Sequence, residues 1–132
     1  MRAAAILVVV CACGGSSQTV LSAIAETTLV APQDMRMRYH EERDRHCREL
    51  LPPASHTFDE WQECMAPSYR LDRAVGALDA ALRGAQATLD MGGRIDVGGL
   101  LAVVRHAAEA FREAGLPVPD EIDRLLRLEA GR

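Results

Sequence analysis

Apolar side chains recur at steps of three and four along most of this chain, the spacing that gives a helix one apolar face. The first such stretch covers 17–31, with Val20, Leu21, Ile24, Thr28 and Leu29 on or near one face. Pro32 interrupts it, since proline lacks the backbone N–H and its ring crowds the preceding turn. A second helix is expected over 33–51, heavily charged, with Met35, Tyr39, Cys47 and Leu50 as a thin apolar stripe. The pattern leaves open whether Pro32 separates two helices or kinks one. Pro52 and Pro53 end the charged helix, and "TFDE" then offers a capping box with Thr57 as N-cap and Glu60 reaching back.

From Trp61 the pattern is most regular. Trp61, Cys64, Leu71, Val75, Leu78, Leu82, Ala85 and Leu89 fall on alternating steps of three and four, with Ser68 in the gap after Cys64. That heptad seam predicts a helix packed at a shallow angle in a bundle. Pro67 lies just off the seam and is expected to kink or restart the helix, with Ser68 as a cap. Gly92 and Gly93 break the pattern, and Asp96 is placed to cap the next helix. Its seam is Leu100, Val104, Ala107, Phe111 and Ala114, and Gly115 stands where a left-handed C-terminal cap belongs. Pro119, Asp120 and Glu121 open a last helix carrying Ile122, Leu125, Leu126 and Leu128, with negative charge at the positive end of its dipole. The fold class expected is all-α: an antiparallel bundle of four to five helices.

Composition agrees with this picture. A chain of 132 residues is one domain by default. Aromatics make up 4%, and Ala and Leu dominate, which favours helices packed through small aliphatic side chains. The net charge of -4 and the lack of a basic stripe give no indication of a nucleic-acid partner. All 15 basic residues are Arg, and Lys and Asn are absent. A GC-rich bacterial genome explains that bias, so it carries no functional weight.

The N-terminus reads differently. Arg2 supplies a positive charge, residues 3–10 are apolar, and small or apolar residues lead to Cys13 and then to Gly14, Gly15, Ser16, Ser17 and Gln18. This stretch resembles the signal peptides of bacterial lipoproteins. Their lipobox of an aliphatic, a short and a small residue before a cysteine is matched by Val10, Cys11, Ala12 and Cys13. The resemblance implies a signal peptide over 1–12, cleavage before Cys13, a diacylglycerol on its thiol and an acyl group on its new amine. Residues 13–18 would then be a flexible tether and 19–132 the helical domain. Gly14 in place of an acidic residue implies the outer membrane, facing the periplasm. The match departs from the family pattern in the unusual Cys11 and in a short apolar region.

A competing reading takes "ILVVVCACGGSSQTVLSAIAE" as a strand, a phosphate-cradling turn and a helix N-terminus. It looks somewhat like the phosphocysteine loop of sugar-transport phosphotransferase B domains, with Cys11 as nucleophile. Such a strand needs strand neighbours, and no run after Val30 is rich in β-formers with period two. A membrane-spanning helix needs about 20 apolar residues, and Gly14 begins a polar interruption well before that length.

The remaining cysteines follow from the export reading. Cys11 leaves with the signal and Cys13 carries lipid, so Cys47 and Cys64 remain as an even pair in an oxidising compartment. Antiparallel helices joined by "PPASHT" would bring them level, and a disulfide there is expected to stabilise by roughly 3 kcal/mol. The rival chemistry is a metal-binding or redox-sensing module using His40, Cys47 and Cys64, with His56 as a further ligand. It lacks paired short ligand spacings, and "HEERDRH" is not the HExxH of metalloproteases. His106 falls off its seam and is expected at the surface. No catalytic constellation, metal site or cofactor is assigned. The expected role is that of an envelope lipoprotein, bound to the bilayer through Cys13 and engaging a protein partner.

Overall fold

The computed structural model describes residues 19–130, which form five α-helices and no strand. Helix α1 occupies 19–26. The others are α2 (Val30–Leu50), α3 (Phe58–Asp90), α4 (Val97–Glu113) and α5 (Asp120–Ala130). The all-helical bundle expected from periodicity is therefore the fold. None of the described helices is long and apolar enough to cross a membrane.

Proline explains where two of the expected boundaries move. The break before α2 lies at 27–29, not at Pro32, and Pro32 sits in the first turn of α2. A proline N–H would be unpaired in that turn anyway, while the ring would clash with a helical carbonyl four residues back, at Thr28. The chain therefore opens upstream, and Thr28 leaves the helix to which its spacing assigned it. Pro67 has the opposite outcome. It lies inside α3, whose 33 residues run unbroken past it, so Ser68 is a mid-helix residue and not a cap.

The caps follow the sequence closely. Thr57 accepts a hydrogen bond from the backbone N–H of Glu60 at 3.2 Å, and Asp96 accepts one from Gly99 at 3.0 Å. Both α3 and α4 end in paired reverse hydrogen bonds around a left-handed glycine. Gly92 (φ 72°) donates to Leu89 and Gly93 to Thr88, each at 2.9 Å. Gly115 (φ 74°) donates to Arg112 at 3.0 Å and Leu116 to Phe111 at 2.9 Å. These two tight reversals make α3, α4 and α5 successive antiparallel neighbours.

The main core lies between α3 and α4 and is closed by α1 and α5. Leu71, Val75, Leu78 and Leu82 of α3 meet Leu100, Val104, Ala107 and Phe111 of α4, with Ile24, Ile122 and Leu125 completing the cluster. Helix α4 is also buried along Leu101 and Ala108, a second stripe that the single seam read from its sequence leaves out. Helix α2 contributes little. Within its 21 residues Pro32 and Cys47 are the buried ones, Met35 and Tyr39 are part-buried, and Leu50, expected on its apolar stripe, is 62% exposed.

Helix α4 is about half as long as α3, and this shapes the molecule. Its last turn reaches Pro67 and Arg70, where Ala110 and Ala114 line a small crevice with them. Beyond that level α2 and α3 continue as a two-helix hairpin. Between Glu41 and Cys64 the one buried residue is Cys47.

Candidate functional site in the α2–α3 hairpin

The hairpin is where most of the residues singled out by sequence converge. Cys47 and Cys64 are joined by a disulfide with their Cα atoms 6.0 Å apart and a sequence separation of 17. Antiparallel pairing across the 51–57 turn sets this register: Cys47 is one turn from the end of α2 and Cys64 two turns into α3. Cys47 is fully buried and Cys64 part-exposed. Met65 is buried next to it in α3, and Trp61 is part-buried. Arg48 lies 5.9 Å from the Trp61 ring centroid, and the His56 ring lies 5.9 Å from the same indole. His56 also places Nδ1 2.9 Å from the Pro52 carbonyl, which ties the turn to itself.

Below the disulfide the helices are joined by polar contacts. Arg43 Nε donates to the Cys64 carbonyl at 2.8 Å. His40 Nδ1 lies 2.8 Å from Ser68 Oγ and 2.9 Å from Asp72 Oδ2. Arg36 Nη1 donates to Asp72 Oδ1 at 3.3 Å, and Arg36 Nε donates to Gln33 at 2.8 Å. Tyr69 sets its ring 6.1 Å from that of His40. On α2 these residues are Arg36, His40, Arg43 and Cys47, and on α3 they are Cys64, Ser68 and Asp72. Their steps of three and four put each set on one helix face. The ladder therefore occupies the seam position where an apolar residue was missing, and Ser68, buried at 1% exposure, is its centre.

A serine, a histidine and an aspartate in contact invite comparison with a nucleophilic triad, and the geometry answers it. In such a triad one ring nitrogen faces the serine and the other faces the carboxylate. Here both oxygens reach the same atom, Nδ1. The Asp72 carboxylate can only accept, so Nδ1 carries the hydrogen and shares it with Ser68 Oγ. A nitrogen that donates toward Ser68 cannot take its proton. The trio joins two helices and does not activate the hydroxyl.

The other candidates fall apart in space. Cys47 and Cys64 bond to each other, so neither offers a thiolate to a metal, and His40 is engaged a full turn or more away. Among the described residues no group of three His, Cys, Asp or Glu side chains is arranged to hold a metal ion. His46 and His106 are exposed. A groove of about 320 Å³ between α3 and α4 is lined by small residues such as Gly84 and Gly99 and by Ile95, Leu100 and Arg94, and Asp96 in it is already used as a cap. Cys11 and Cys13 lie outside the described residues.

No protein-family model, curated protein or solved structure matches this chain.

Sequence reasoning did not single out Asp72, Arg36 or Gln86. Gln86 Nε2 lies 3.1, 3.3 and 3.0 Å from the carbonyls of Ile24, Ala25 and Thr27. Those carbonyls lie at and just past the C-terminal end of α1, where helical acceptors run short of donors, and α3 supplies one. The available signal for Ser68 was a polar residue on an otherwise apolar seam. Gln86 and Asp72 had none, because their partners are 32 to 62 residues away.

Proposed function

We propose that this chain is a lipid-anchored protein of the bacterial cell envelope, in which the helical bundle acts as a structural or protein-interaction module. The observation that carries the proposal is the Cys47–Cys64 disulfide. Disulfides of this kind persist in oxidising compartments and are rare in the bacterial cytosol, so the pair supports the export read from the lipobox-like Val10–Cys11–Ala12–Cys13. Cys13 is the lipidation site in this reading, with residues 1–12 removed and 13–18 as the tether. The first helix that follows is bound to the bundle by Gln86, so the anchor leads directly into a folded domain.

The interaction role rests on the exposed chemistry of the hairpin. Leu50 (62% exposed) and Phe58 (74%) flank the turn, and the outer face of α2 alternates Arg with Glu and Asp. Metabolic labelling with a clickable fatty acid in a bacterial host tests the anchor. The wild-type chain is expected to take up label and the Cys13→Ser chain to take up none. An unlabelled wild-type chain, or label that persists on Cys13→Ser, contradicts the proposal.

A further inference from the structure

We propose that the Cys47–Cys64 disulfide is a redox latch on the hairpin tip. A small dithiol opens it by attack at Cys64, residues 41–66 part, and the bundle beneath stays folded. This concerns the hairpin in any compartment and does not depend on the acyl anchor.

The tip is held by little else. Cys47 and Met65 are its buried apolar side chains, and neither belongs to the main core cluster, which on α3 begins at Leu71. The first half of α2 is different. Met35 and Tyr39 pack against that cluster, and Arg36 and His40 both reach Asp72. Past His40, the side-chain hydrogen bond that joins α2 to α3 among the described residues is the Arg43 bond to the Cys64 carbonyl, beside the disulfide and the Arg48–Trp61 contact. One part-buried hydrogen bond and one surface cation–π contact are a small hold on two helices compared with a packed apolar core.

The fold also supplies a place for α3 to part. Pro67 has no N–H for the carbonyl of Glu63, so the helical ladder is already interrupted between the tip and the core. That gap falls where α4 ends: Pro67 and Arg70 line a crevice with Ala110 and Ala114. The end of α4, the start of the core cluster at Leu71 and the missing ladder bond at Pro67 thus fall within about one turn of each other.

The exchange has a direction. Cys64 is part-exposed and Cys47 is fully buried. A thiolate of the dithiol attacks the Cys64 sulfur, the S–S bond breaks, and Cys47 leaves as a thiolate. The leaving group needs water and a proton, and parting of the hairpin provides both, so opening accompanies the step. The second thiol of the dithiol then displaces Cys64 from the mixed disulfide. Two electrons and two protons pass to the protein, and the dithiol becomes a cyclic disulfide.

Hydrogen exchange of the full chain, purified oxidised and measured with and without dithiothreitol, tests the latch. Amides of 41–66 are expected to lose protection by about a hundredfold on reduction, the weight of closing a loop of this size in the chain-entropy model. Those of 71–82 and 100–111 are expected to keep theirs. A loss spread evenly over the bundle, or no loss at the tip, overturns the proposal. A brief exposure to glutathione followed by alkylation tests the direction. The glutathione adduct is expected on Cys64 with Cys47 alkylated, and an adduct mainly on Cys47 contradicts attack at Cys64.

Discussion

The side chains that organise this molecule are polar residues meeting across long stretches of sequence. Gln86 is the clearest case, since its one amide serves the carbonyl end of α1. Gln86→Leu keeps the bulk and removes the donor. We expect it to cost about 1–2 kcal/mol and to raise amide exchange in α1 while leaving α4 unchanged. His40, Ser68 and Asp72 form a second unit. Asp72 and His40 are 25% and 37% exposed, so solvent weakens their charge interaction. Asp72→Ala is accordingly expected to cost only about 1 kcal/mol by chemical denaturation. Because both oxygens share one nitrogen, a double-mutant cycle of Ser68→Ala with His40→Ala should show a coupling of about 0.5–1.5 kcal/mol. Additive single effects would mean that the short Ser68–His40 distance carries no energy.

At the level of elements, proline decides more than periodicity does. Pro67 interrupts the backbone ladder of α3 without ending the helix, and beside that gap Arg43 of α2 donates to the Cys64 carbonyl. Pro67→Ala restores an N–H for Glu63, and we expect it to raise stability by about 1 kcal/mol or more and to slow exchange in 58–66. A lower melting temperature would show that the proline ring packs better than the hydrogen bond it removes. Helix identity, the caps at Thr57 and Asp96 and the left-handed Gly115 were legible in the sequence, because each depends on neighbours within a turn or two. The α2–α3 register was legible through the two cysteines, whose even pairing singled out one alignment. The Arg36–Asp72 pair and the Gln86 contacts to α1 were not, since spacing within a helix cannot reveal which polar group stands opposite on another. The break at 27–29 was misplaced for a physical reason: a proline disturbs the turn before it and fits the turn that it begins.

Taken whole, the molecule has two parts of unequal support. The bundle of α1, α3, α4 and α5 is an apolar core centred on Phe111, which is fully buried. Phe111→Ala should cost about 3–5 kcal/mol and lower protection throughout the bundle, unlike reduction of the disulfide, whose effect is confined to the tip. The hairpin tip has a disulfide where the rest of the molecule has a core. Such bonds persist in oxidising compartments, and the proposed export rests on joining that property to the lipobox-like N-terminus. The most direct test is the intact mass of the protein extracted from membranes of its native host. A chain beginning at Cys13, heavier by its acyl groups and lighter by the two hydrogens of the Cys47–Cys64 bond, is the result this account predicts. A chain beginning at Met1 or Arg2 with every thiol free would contradict it.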